Sequence, residues 1–138
     1  MTELKNLVGK QERVVSISSQ ATVRDAAKAM AEANVGAAAI MEGTKLVGLF
    51  TERDVLKRVL LRNLDVDDVR VEDVMTRELI CAEVGHNTSD ARFLMQRHHI
   101  RHLPVLDATG QLVGVLSIRD LVHDEVREMR DYIAMHEG

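Results

Sequence analysis

The stretch Leu46-Val47-Gly48-Leu49-Phe50-Thr51-Glu52-Arg53-Asp54 lines up, at an offset of 66, with Leu112-Val113-Gly114-Val115-Leu116-Ser117-Ile118-Arg119-Asp120. Thr22 and Thr88 stand at the same offset, and Asp25/Asp90, Met30/Met95 and Ile40/Val105 stand at 65, so a single one-residue gap absorbs the drift. A chain that repeats itself over roughly 60 residues folds as two similar units, because each copy carries the same pattern of buried and exposed positions. Two such units predict a pseudo-twofold body with related sites in the cleft between them.

Each copy has the same order of elements. Val14-Val15-Ser16-Ile17 and Leu79-Ile80-Cys81-Ala82 read as short strands. A helix follows each. In the first, Val23, Ala26, Ala27, Met30 and Ala31 recur at helical spacing after a Thr22 cap; in the second, Ala91, Leu94 and Met95 follow Thr88 or Ser89. Ala37–Met41 and Leu103–Leu106 read as buried strands, each turning through a short polar loop into a strand that begins at Leu46 or Leu112. Closing helices carry Val55, Leu56, Val59 and Leu60 in one copy, and Leu121, Val122, Val126, Met129 and Ile133 in the other.

The fold class is therefore α+β, two β-α-β-β-α repeats over residues 10–62 and 71–135 of one 1–138 module. Residues 63–68 are polar with three acids and read as a surface connection. The last helix runs to about Met135, and its Val122, Val126, Met129, Ile133 stripe needs a cover. A second subunit or the chain's own sheet can supply one.

Composition narrows the function. Aromatics make up 2% of the 138 residues, so there is no shelf on which to stack single-stranded bases, and a net charge of −4 argues further against nucleic acid. The longest apolar run, Ala37–Met41, is far short of a membrane span, and no signal-like segment opens the chain. Cys81 is alone, as expected of a soluble cytoplasmic protein.

His98, His99, His102 and His123 lie close in sequence, but no Cys or paired Glu joins them, so no metal centre is expected. Asp65, Asp67 and Asp68 imitate a calcium loop whose turn glycine is replaced by Arg70. There is no Gly-Lys-Ser/Thr loop and no nucleophile-base spacing, so the chain reads as a non-enzyme.

The chemistry resides in the duplicated motif. Thr51 with Asp54, and Ser117 with Asp120, place a hydroxyl and a carboxylate three residues apart where a strand meets a helix. Such a pair caps the helix. An ionised carboxylate there can equally accept the 2′- and 3′-hydroxyls of a ribose. Arg53 and Arg119 sit in the first helical turn, where a cation opposes the helix dipole and a bound phosphate reverses the sign.

The two Gly-hydrophobic-hydrophobic-Thr/Ser-x-x-Asp stretches, the Ile100-Arg101-His102-Leu103-Pro104-Val105 segment and the element order together resemble a tandem pair of CBS domains, also called a Bateman module, over about residues 13–126. A chain that is only the pair is similar to stand-alone bacterial CBS proteins. The resemblance implies a regulatory, non-catalytic sensor that holds an adenosine nucleotide between the repeats: AMP in the first place, with ADP, ATP, S-adenosylmethionine and NAD as alternatives. It also implies a homodimer through the helices and a protein target that reads the ligand state. Its ribose residues would be Asp54, Thr51, Asp120 and Ser117.

The same resemblance assigns phosphate contact to Arg101 and His102 and gives the first copy no such clamp, since Gly36 and Ala37 stand there; Arg119 and Arg53 are phosphate candidates by their place in the first helical turn. For the base it implies Val14, Val15, Ser16, Leu79, Ile80 and Cys81. Ala37 leaves room for a ring, and Pro104 either opens a strand edge to a ring or is a plain edge-strand proline. The competing reading is a ligand-free dimerisation scaffold in which both aspartates are only caps.

Overall fold

A computed structural model describes residues 2–9 and 14–137. In chain order the elements are α1 (Leu4–Val8), β1 (Ser16–Ser18), α2 (Val23–Ala33), β2 (Ala37–Glu42), β3 (Lys45–Thr51), α3 (Glu52–Asp54), β4 (Ala82–Glu83), α4 (Thr88–His98), β5 (His102–Leu106), β6 (Leu112–Ser117) and α5 (Ile118–His136). A π-helical segment, Val55–Leu60, continues α3, and a 3₁₀ turn spans Val71–Asp73. The fold is mixed α+β with two three-stranded sheets, β1-β2-β3 and β4-β5-β6. Two units result, one of Gln11–Leu79 with Thr109–Leu112, the other of Met1–Lys10, Ile80–Ala108 and Val113–Gly138.

In the unit of the first repeat, β1 runs parallel to β2, and β2 pairs antiparallel with β3, Ala37 standing opposite Thr51. The Thr22 hydroxyl caps α2 by accepting the Asp25 N–H at 3.2 Å. The helix ends on Asn34 in the left-handed region, φ 55°, a conformation that asparagine tolerates. Val23, Ala26 and Met30 line one face of α2 and bury it against Ala38, Ile40 and Phe50 of the sheet.

The polar connection after this repeat is not simply surface. Asp65, Asp67 and Asp68 are exposed, but Leu64, Val66 and Val69 pack against the core, and Val71, Val74 and Met75 complete it. Arg24 pairs with Asp67 across this segment and holds that carboxyl below its usual range, chiefly by hydrogen bonding.

The connection docks on the outer edge of β3. Leu49 and Thr76 exchange both backbone hydrogen bonds, at 3.0 and 2.9 Å. Gly48 makes this approach possible, since a Cβ there would lie 2.3 Å from Met75 Sδ and 2.8 Å from its Cγ. Gly48→Ala is therefore expected to cost about 1–2 kcal/mol, because the buried Met75 must repack. A lowered urea midpoint checks it, and Met75→Ala in the same chain should absorb much of the added loss.

The unit of the second repeat repeats the scheme, with β4 parallel to β5 and β6 on the far side of β5. Its core is Ala82, Ala91, Met95, Leu103, Val105, Leu116 and Leu121, joined by Leu4 and Val8 of α1. The α1 segment is tied in through its backbone, Leu4 N–H donating to His86 and Lys5 N–H to Val84. The cap of α4 is Asn87, with Thr88 its first helical residue, where the spacing suggested Thr88 or Ser89. Asn87 accepts the Asp90 N–H at 3.0 Å. His99 ends α4 in the left-handed region at φ 54°.

The strands of both repeats begin later than the sequence pattern suggests, at Ser16 and Ala82. Leu56 and Leu60 also depart from it. The π-helical winding turns both outward, leaving Val59 as the buried residue of that segment. On α5, Val122, Val126, Met129 and Ile133 are all exposed, Met129 at 65%, so this stripe does not fold back onto the chain's own sheet. Tyr132 stacks on His136 near its end, ring centroids 4.1 Å apart. Among the described residues no helix is long and apolar enough to cross a membrane.

Candidate functional site

At the junction of β3 and α3, Thr51 is extended (φ −117°, ψ 166°) and caps the helix. Its hydroxyl accepts the Asp54 N–H at 3.3 Å, while its own N–H donates to Asp54 Oδ2 at 3.0 Å and its hydroxyl to the same oxygen at 3.2 Å. This reciprocal cap is what Thr-x-x-Asp spacing provides at a helix start. The carboxylate has further partners. The Thr76 hydroxyl lies 3.1 Å from Oδ1 and 3.2 Å from Oδ2, and Arg58 Nε lies 3.5 Å from Oδ1. Arg58 also donates to the Met75 carbonyl at 3.0 Å. Asp54 is 5% exposed.

The second copy builds the same cap. Ser117 N–H donates to Asp120 Oδ2 at 2.8 Å, the hydroxyl donates to that oxygen at 3.1 Å, and Asp120 N–H returns a bond to the hydroxyl at 3.3 Å. Asp120 is half-buried rather than buried. One helical turn on, at the position of Arg58, stands Asp124. It is buried, its Oδ1 accepts Arg127 Nη2 at 2.5 Å, and its Oδ2 has no hydrogen-bond partner among the described residues.

Sequence reasoning missed Thr76, Arg58 and Asp124. The offset of 66 pairs Arg58 with Asp124, so this difference between the copies was open to inspection. Thr76 gave no signal, since it reaches Asp54 from 22 residues away.

The basic candidates gather around the second motif. Arg101 carbonyl accepts the Ile118 N–H at 2.9 Å, which fixes Arg101 and His102 beside the start of α5, where Arg119 is exposed. Arg101 is exposed and His102 half-buried. In the first copy the equivalent bond runs from Glu52 N–H to the Gly36 carbonyl at 3.1 Å, and Arg53 is exposed beside it.

The candidates for a base are more scattered. Val14 and Ser16 are exposed, and Val15, Leu79, Ile80 and Cys81 are half-buried. Burial pushes the Cys81 thiol up, so it stays protonated at neutral pH. Ala37 is 5% exposed and sits opposite Thr51. Pro104 departs from the edge-strand reading. It is fully buried and lies on β5, the central strand, tolerated there because β4 pairs only with Val105 and Leu106.

Comparison with known proteins agrees with this architecture. The family model described as CBS domain matches residues 7–61 and 71–126. The Bacillus subtilis CBS domain-containing protein YhcV is 32% identical over 126 residues, 91% of this chain and 87% of that protein. A solved structure of a protein with CBS domains from Burkholderia ambifaria superposes with a TM-score of 0.85 at 34% identity, covering 91% of this chain and 95% of that one. A CBS domain protein from Pyrobaculum aerophilum, solved in complex with AMP, matches at 32% identity and a TM-score of 0.78, covering 86% of this chain and 88% of that one. The chain spans between 22% and 87% of the lengths of such curated relatives. It belongs to the CBS-domain family, with two copies of the domain in tandem.

Proposed function

We propose that this chain is a regulatory module that binds an adenosine compound, AMP foremost, and is not an enzyme. The observation that carries the reading is the duplicated strand, cap and aspartate, Ser117 with Asp120 above all, in a chain similar to a CBS protein solved with AMP. Asp120 accepts the ribose hydroxyls, which suits a half-buried carboxylate better than an exposed one because water competes less there. Arg101, His102 and Arg119 surround the same helix start and neutralise the phosphate, whose charge the helix N-terminus also favours. Ile80 and Cys81 offer the base an apolar wall.

The signal is a shift in equilibrium. A ligand biases two states only by its difference in affinity for them. The exposed α5 stripe gives that signal an outlet, a homodimer or a protein target, and it also favours the competing reading of a pure scaffold. Thermal shift with AMP, ADP, ATP, NAD and S-adenosylmethionine separates the two. A ligand present at about 100 times its Kd stabilises the native state by about 2.7 kcal/mol, a rise of several degrees in Tm. A flat response across the whole panel leaves the scaffold.

A further inference from the structure

We infer that α5 pairs with the α5 of a second copy of this chain, the two helices running parallel about a twofold axis, with Glu125 of each copy set against Arg130 of the other. The seam stands apart from the adenosine reading, since its apolar residues and its ion pair are none of those assigned to the ligand.

The end of α5 needs a cover. Every residue from Val126 to His136 is exposed, so about three turns of helix project without burying a side chain in their own unit. A helix of that length is marginal in water by itself. Ile118, Val122, Val126, Met129 and Ile133 are spaced by four, four, three and four residues, and at 3.6 residues per turn they fall within about 40° of one straight line along the helix. A stripe this narrow fits another helix laid alongside. Beside it lies a shallow depression of about 360 Å³ between Glu125, Glu128, Met129, Tyr132 and Ile133, a hole for side chains of the facing helix.

The charges beside the stripe select its occupant. Arg119, His123 and Arg130 follow one flank, and Glu125 and Glu128 follow the other. When two identical helices face each other in parallel about a twofold, the basic flank of each meets the acidic flank of its mate; in an antiparallel pair, like flanks meet. The surface is thus complementary to a second copy of itself in one direction only. Flank residues that meet across a parallel seam are five apart in sequence, as Glu125 and Arg130 are. Twofold symmetry makes that contact twice. Glu125 already pairs with Arg92 of α4 in its own chain, which holds the carboxylate in place for the second cation.

Sedimentation of the full chain, joined with single-cysteine cross-linking, tests this. Expected is a dimer in the micromolar range. Val122→Cys and Ile133→Cys should each oxidise to a covalent dimer, because in a parallel pair a seam residue meets its own counterpart at both ends, within disulfide reach. The parent, whose one cysteine is the half-buried Cys81, should not. Arg130→Glu should weaken the dimer roughly 3- to 30-fold, and adding Glu125→Arg should recover most of the loss. Met129→Asp with Ile133→Asp should give a folded monomer, since both side chains are exposed. A parent that sediments as a monomer throughout the micromolar range overturns the inference and leaves the stripe to a foreign protein. Cross-linking at only one of the two positions, or an Arg130→Glu dimer as tight as the parent, overturns the parallel seam. A dimer that survives both aspartates overturns α5 as the interface. None of these results touches the adenosine reading, which the thermal-shift panel decides separately.

Discussion

Phe50→Ala is expected to lower stability by about 3–5 kcal/mol, the cost of deleting a large buried aromatic and leaving a cavity. Phe50 is 0% exposed on β3, facing Val23, Ala26 and Met30 of α2 and paired with Ala38. Its neighbours are mostly short, so they have little reach with which to collapse into the space. The chain has only two Phe, one Tyr and no Trp, and Phe93 and Tyr132 are exposed, which leaves Phe50 as the one buried aromatic. Against a typical total of about 5–15 kcal/mol, the loss brings the chain near its unfolding threshold. Urea denaturation reads it directly. Phe93→Ala, at a 59% exposed site, is the control and should shift stability by no more than about 0.5 kcal/mol. Equal effects of the two substitutions would contradict the core assignment.

Asp120→Ala should weaken AMP binding by roughly 10- to 100-fold, since a hydrogen bond to a charged group is worth about 1.5–3 kcal/mol and each 1.4 kcal/mol is tenfold. The same substitution also breaks the Ser117 cap, at a cost of about 1 kcal/mol in stability. Affinity is therefore measured well below the melting temperature, where the native fraction is saturated. Asp120→Asn refines the result, because its amide oxygen can still serve the cap while the charge is gone. An AMP affinity unchanged in both variants would remove Asp120 from the site.

The repeat, the order of elements and the reciprocal caps were legible because they depend on residues close in sequence. Thr51 with Asp54, and Ser117 with Asp120, cap their helices through three-residue spacing alone. Strand starts were less legible, since Val14, Val15, Leu79 and Ile80 have the composition of strand residues, yet the paired register begins only at Ser16 and Ala82, Val15 lending just its carbonyl to the Ala39 N–H. Leu56 and Leu60 misled for a different reason: helical spacing assumes 3.6 residues per turn, and the π-helical winding after Asp54 changes which side chains share a face.

The acidic connection concealed its apolar half, because Leu64, Val66 and Val69 alternate with charges instead of forming a run. What Asp54 does with its remaining acceptor positions was out of reach altogether. It depends on Thr76 being carried to β3 by a turn that no local pattern announces.

The short helix α1 packs with the later repeat, while the residues from 64 to 76 pack with the earlier one. During synthesis, then, α1 leaves the ribosome long before the surface it belongs to exists. At usual translation speeds it waits on the order of ten seconds for Leu116 and Leu121, whereas the first repeat has its whole core once Met75 has emerged. Leu4 and Val8 spend that interval without their partners, which makes α1 a natural handle for a chaperone and slow to gain protection from proteolysis.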